Sequence, residues 1–153
     1  MSASFIADGI HLPPHALKIL LRAKGLERAI LVSDAVSAAA APPGLYPFAG
    51  AMVEHAPDGS VRLPGSSYLA GSALVLDQAV RNLVDWGLAT PSEALCMASD
   101  NPRRLMAPAI AALATDQPDS GVLWSDDLHP LVVKVGGIER RYERKRRFRD
   151  HDV

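Results

Sequence analysis

Residues 5–35 read FIADGIHLPPHALKILLRAKGLERAILVSDA, and this stretch decides the fold. FIA at 5–7 is a short apolar run ending at Asp8-Gly9, the pattern of a strand reaching a turn. PPHALKILLRAKG then predicts a helix, with prolines at its start, Ala16, Leu17, Leu20 and Leu21 on one face, and Gly25 as its stop. AILVS at 29–33 predicts a second strand. Strand, helix and strand within about thirty residues form a βαβ unit, and such units build parallel sheets. In parallel α/β architectures, binding and catalytic groups collect at the carboxyl ends of the strands. The turn from Asp8 to His11 and the carboxylate of Asp34 both fall at such ends, so they are expected on one face.

Asp34 has two readings. An aspartate after a strand is a common helix N-cap. The residues that follow run AVSAAAAPPG, however, with prolines within ten positions and no helical stripe, so there is little to cap. A carboxylate at a strand end, ringed by small side chains, has room for a ligand or a water. That is what a general base needs. His11, in DGIHLPP, shares that face, whereas His15, His55, His129 and His151 fall in helix, hairpin or tail.

Further along, Pro42, Pro43 and Gly44 break the chain. YPFAG, AMVEHA and SVRL around a Pro57-Asp58-Gly59 turn then predict an inserted antiparallel hairpin at about 45–63. PGSSYLAGS at 64–72 is read as a Gly/Ser-rich loop. Within it Gly71 would let the backbone approach a ligand, and the helix start that follows would suit an anion. ALVLDQAVRNLVDWG predicts a helix with Leu76, Ala79, Val80, Leu83 and Val84 on one stripe, Ser72 as N-cap and Gly87 as stop. Thr90-Pro91-Ser92-Glu93 is a capping-box pattern, and Asp100-Asn101-Pro102 starts a short helix through Leu105. GVLW and LVVKV around Ser125–Asp127 predict a closing hairpin.

With 153 residues and 48% hydrophobic content, the chain can bury a core. No apolar run approaches the ~20 residues of a membrane span. No secretory signal opens it, and the single Cys96 fits a reducing compartment, so a soluble cytoplasmic protein is expected. Sixteen Lys/Arg nearly balance seventeen Asp/Glu, but residues 139–153 hold seven of the basic residues against four acids. Acids interrupt this run and no spaced aromatics accompany it. A solvated, disordered tail is expected rather than a nucleic-acid arm. There is no His-x-His, no HExxH and no cysteine pair, and Asp8, His11 and Asp34 alone are too few for a zinc site. A Walker loop and a serine nucleophile elbow are also missing.

Four stretches, ADGIHLPP, LVSDA, LAGSALVLDQAVRNLVDWG and MASDNPRRL, resemble in sequence and order the N-acetylglucosamine-6-phosphate deacetylases of the amidohydrolase superfamily. The resemblance covers about residues 3 to 107, and more faintly to 138. It implies an α/β fold: the C-terminal part of a (β/α)8 barrel over 1–107 and part of a small β-sandwich domain over 108–138, ahead of the charged tail read at 139–153. It implies that Asp34 is the catalytic aspartate, taking a proton from a metal-bound water and delivering one to the leaving amine. By the same resemblance, His11 contacts the sugar phosphate, Asp8, Gly9 and Ile10 line its turn, and Leu69, Ala70 and Gly71 close over the substrate. The family's divalent metal, zinc or iron, is held by a glutamate and two histidines on earlier strands, so no metal ligand is expected here.

The function so implied is that of the C-terminal segment of a metal-dependent hydrolase. It would convert N-acetylglucosamine 6-phosphate to glucosamine 6-phosphate and acetate, and this chain alone would be inactive. The alternative is a non-catalytic sugar-phosphate-binding or assembly module on the same fold. The expected partners are an N-acetylated amino-sugar phosphate and either a second copy or a complementary N-terminal half, with no nucleic acid and no membrane. Unfilled sheet edges and the face of Leu76, Val80 and Leu83 are expected to drive that association.

Overall fold

The structure, a computed structural model, describes residues 1–39, 41–114 and 118–143. Strands β1 (Ala3–Phe5) and β2 (Ala29–Leu31) pair in parallel, Ala3 opposite Ala29 and Phe5 opposite Leu31. The Val32 N–H donates to the Phe5 carbonyl and continues the ladder one step further. β1 begins two residues earlier than FIA suggests. The Ala7 carbonyl is taken by the Asn82 side chain at 2.7 Å instead of by a strand, so pairing stops before it.

Helix α1 (Pro14–Lys24) connects the two strands and ends at Gly25, whose N–H returns to the Leu21 carbonyl. Leu17 and Leu21, one turn apart, are buried, whereas Leu20 is 41% exposed. The buried face is therefore narrower than the apolar stripe. All three β2 residues are buried. Helices α2 (Leu76–Asp85), α3 (Pro91–Ala98) and α4 (Asp100–Ala112) each pack against β2, which is why AIL carries no polar alternation.

The middle of the chain forms a four-stranded antiparallel sheet in the order β3 (Gly44–Phe48), β4 (Ala51–His55), β5 (Ser60–Arg62) and β6 (Leu69–Ser72). The last strand corrects the reading of 64–72 as a loop. Ser72 lies opposite Ser60 and also forms a parallel bridge to Ala35, and these two sets of backbone bonds hold LAGS extended. The residues after Asp34 have a structural explanation as well. Val36 and Ala38 are buried with Val53 and Val61 in the core of this sheet. Small side chains let the chain pass beneath it.

The α2 expectations need two corrections. Its N-cap is Val75, which makes no side-chain cap. Ser72 instead accepts the Leu74 N–H on its hydroxyl at 2.8 Å. The face of Val80 and Leu83 is buried within the chain, with Leu76 at its exposed edge, so it lacks no partner. The capping box forms as read. Thr90 Oγ1 accepts the Glu93 N–H, and the Glu93 carboxylate accepts the Thr90 N–H at 2.7 Å. α4 continues seven residues past Leu105, through Pro108, and so crosses the boundary expected at 107/108.

The chain divides into a unit of Met1–Ala112 and one of Leu113–Val153. In the second, β7 (Ser120–Trp124), β8 (Pro130–Val135) and β9 (Ile138–Arg141) form an antiparallel meander. Glu139 to Arg141 pair with β8, which corrects the reading of 139–153 as one disordered tail. Val135 lies opposite Ile138 and Lys134 opposite Glu139. Residues 144–153 of that expected tail lie outside the described residues.

Candidate functional site

Because β1 and β2 run parallel, the loops that follow them leave from the same end of the pair. The first loop holds Asp8 to His11. Asp8 Oδ1 accepts the N–H groups of both Ile10 and His11 at 2.9 Å, and Oδ2 lies 2.6 Å from His11 Nδ1. The Asp8 side chain is 8% exposed and that of His11 21%. An acceptor two and three residues ahead of its donors closes a tight turn that leaves the imidazole at its rim. Gly9 sits at φ +78 with its backbone against Trp86: an added Cβ would lie 3.4 Å from the ring edge. Trp86 directly follows α2, so the helix supports the loop.

A polar seam on α2 fixes the start of this loop. Asn82 donates to the Ala7 carbonyl, Gln78 donates to Asn82 Oδ1 at 2.7 Å, and the buried Arg81 donates to Gln78 and Asp77. Arg81 and Asp77 form an ion pair at 2.8 Å with the arginine side chain 10% exposed. The apolar stripe read from the sequence left Asn82 and Gln78 without a role. The signal available was an amide-rich polar face on a helix otherwise built to be buried.

The second loop holds Asp34. Its side chain is exposed, and among the described residues its carboxylate accepts no hydrogen bond. Its backbone takes φ +51, a left-handed conformation uncommon outside glycine. The surroundings impose it: the Asp34 carbonyl accepts the Ser72 N–H and the Ser72 carbonyl accepts the Val36 N–H, both at 3.0 Å. Gly71, at φ +101, permits that approach, since a Cβ there would fall 2.3 Å from Val36 Cγ1. The structure thus joins Leu69, Ala70 and Gly71 to the Asp34 loop through neighbouring backbone. Leu69 is exposed, and Ala70 and Gly71 are half-buried. Ser72, missed as a site element, is the staple.

Among the described residues, no three His, Cys, Asp or Glu side chains are grouped to hold a metal ion. Both Asp8 oxygens and one His11 nitrogen are already engaged with each other and with the loop backbone. These donors do not fit a resident metal. Cys96 is no nucleophile either: its hydrogen bond to Asp100 pushes the thiol up from its ordinary value, away from the reactive thiolate. What the arrangement offers, at one end of the parallel pair, is an unpaired carboxylate with a pinned backbone edge on one loop and an oriented imidazole on the other.

No protein-family model matches the chain. It is 42% identical over 134 residues to a protein of Escherichia coli strain K12 provisionally named an N-acetylgalactosamine-6-phosphate deacetylase, covering 86% of this chain and 78% of that one. It is also 42% identical to the N-acetylgalactosamine-6-phosphate deacetylase of E. coli O157:H7, where the same 86% of this chain matches 35% of the relative. The crystal structure of N-acetylglucosamine-6-phosphate deacetylase from Thermotoga maritima superposes on 92% of the chain with a TM-score of 0.78 and 26% identity, using 39% of its own length. The chain therefore spans little more than a third of the length of these last two proteins.

Proposed function

The chain belongs to the N-acetylglucosamine- and N-acetylgalactosamine-6-phosphate deacetylase family, and from this we propose that it is the C-terminal segment of a hydrolase acting on N-acetylated hexosamine 6-phosphates. The reaction adds water across the amide, releasing acetate and the free amino sugar phosphate. Asp34 accepts a proton from the attacking water and returns one to the leaving nitrogen. His11, with Gly9 and Ile10 in its turn, contacts the sugar phosphate, and the strand edge Leu69–Gly71 borders it. The observation that carries this reading is Asp34 itself: an exposed, unpaired carboxylate, held in a left-handed conformation at the end of a buried parallel strand. Strained residues of this kind cluster at functional sites.

In the same reading, residues 1–112 supply the last strands and helices of a (β/α)8 barrel carrying the inserted sheet, and β7–β9 contribute to a small β-sandwich. β2, covered by three helices, has the burial of a barrel strand. The family's divalent metal, zinc or iron, would polarise the amide and acidify water in the assembled enzyme. The described residues do not fit it, so its ligands come from elsewhere.

A carboxylate alone is too weak a base to ionise bulk water near neutrality at a useful rate unless a metal acidifies that water. The chain alone should leave N-acetylglucosamine 6-phosphate and its galacto epimer intact, with or without zinc. Mixing it with a complementary chain bearing a glutamate and two histidines should give turnover, and the faster epimer would name the substrate. Hydrolysis by the isolated chain with one metal bound per molecule would overturn this account.

A second reading is a sugar-phosphate-binding module without chemistry, with which a described set of residues holding no metal site is compatible. It predicts calorimetric binding of the sugar phosphate and no turnover under any complementation. Exposed Leu45, Phe48 and Met52 on the antiparallel sheet, with Tyr68 just ahead of β6, support association with a second copy or a complementary half. A monomer by light scattering at micromolar concentration would argue against it. No helix among the described residues is long and apolar enough to cross a membrane. A cytoplasmic site of action fits one lone cysteine.

A further inference from the structure

Asp8 and His11 are more tightly joined than two residues that merely line the same pocket. Every hydrogen bond the Asp8 carboxylate makes is internal: two backbone N–H groups on Oδ1 and the imidazole on Oδ2. Its side chain is nearly sealed from solvent. An ionised carboxylate can only accept hydrogen bonds, so the 2.6 Å contact requires the proton on Nδ1. A neutral ring then carries its lone pair on Nε2, the nitrogen without a partner among the described residues.

We infer that Asp8 is a positioning residue that touches no substrate: it fixes the His11 ring as the Nδ1–H tautomer and presents Nε2 as a hydrogen-bond acceptor for an O–H or N–H group of the ligand. Carboxylates that hold the far nitrogen of a histidine set both ring orientation and tautomer. The two backbone bonds serve the same end, because they fix the loop that carries the ring. The inference deepens the proposed function and rests on it for the identity of the ligand. It does not rest on it for the role of Asp8.

The test is a long-range proton–nitrogen correlation spectrum of the His11 ring in the 15N-labelled full chain, at a pH where the ring is neutral. A hydrogen bond to a charged acceptor biases a two-state equilibrium by about tenfold or more, so the Nδ1–H form should dominate by that factor. Asp8→Asn is the informative variant. Its amide oxygen can still accept from Ile10 and His11, while its NH2 would donate to Nδ1 and drive the ring proton to Nε2. The dominant tautomer should therefore invert, with the Val32 amide signal unmoved as the sign that β1 and β2 still pair. An Nε2–H ring in the unsubstituted chain, or an unchanged tautomer in folded Asp8→Asn, overturns the assignment. If Asp8→Asn fails to fold, the unsubstituted spectrum alone decides. No turnover enters the measurement, so a failure of the deacetylase reading and a failure of this one are told apart.

Discussion

Two aspartates follow two adjacent parallel strands, and the structure treats them in opposite ways. The Asp8 side chain is nearly sealed from solvent, accepts three hydrogen bonds and closes its own loop. Asp34 is exposed, accepts none among the described residues, and sits in a backbone conformation that costs energy to hold. A carboxylate with both oxygens engaged inside the protein can build structure but has little left for chemistry. One held open against conformational preference has the reverse character. The pair sets an occupied carboxylate against an open one at the end of one sheet.

The largest expected effect lies with the open carboxylate. In the enzyme completed by its missing ligands, Asp34→Asn should lower turnover by roughly 10²–10⁴, the usual contribution of a general acid–base group. Assays on both sugar phosphates would show it. Retention of full activity would remove Asp34 from the mechanism.

Stability should respond in the opposite order. Asp8→Ala strips three bonds from a nearly buried carboxylate and should cost roughly 1.5–3 kcal/mol in urea denaturation. Asp34→Ala, with no side-chain bonds to lose, should cost far less. Equal losses at the two positions would erase the distinction drawn between them. The staple beneath Asp34 can be probed as well. Gly71→Ala would force a Cβ into Val36 and should cost roughly 1–3 kcal/mol by overpacking.

A smaller gain is expected from Asp34→Gly. Relief of the left-handed backbone should raise stability by about 1 kcal/mol while activity is lost, which is the trade expected of a functional residue. The smallest effect is a pH dependence remote from both loops. The Thr90 backbone N–H, and then its hydroxyl, hold Glu93 below its ordinary value of 4.5. Its contribution is therefore present above that value and is lost as pH falls through the lower folded value. A slight loss of denaturant resistance in that acid window, weakened by Thr90→Ala, which keeps the backbone N–H, and abolished by Glu93→Gln, would identify it; because Glu93 is fully exposed, the change should be minor.

Much of the fold was legible because it rests on local rules. The strand–helix–strand of residues 3–31, the end of α1 at Gly25 and the Thr90–Glu93 capping box follow from apolar spacing and from side chains that meet neighbours three or four residues away. The positions of Asp8, His11 and Asp34 were legible for the same reason, since strand ends can be read from where apolar runs stop. Leu69–Ser72 was misread because LAGS looks like a loop in isolation, and only pairing with Ser60 and Ala35 makes it a strand. Asn101 also escaped notice. Its amide donates to the Leu26 and Ala29 carbonyls, both at 2.8 Å and more than seventy residues away in sequence, and no local pattern announces such a bond.

The sequence by itself determined which residues stand at the ends of the parallel strands, because that depends on period and punctuation along the chain. It also determined the family, through four motifs in fixed order. Only the tertiary structure decided what each carboxylate can do. Whether an aspartate is free or occupied depends on which donors the fold brings to it, and on whether a strand forty residues further on locks its backbone open. Those partners are chosen by packing, so the two aspartates look alike in the sequence and differ in the folded chain.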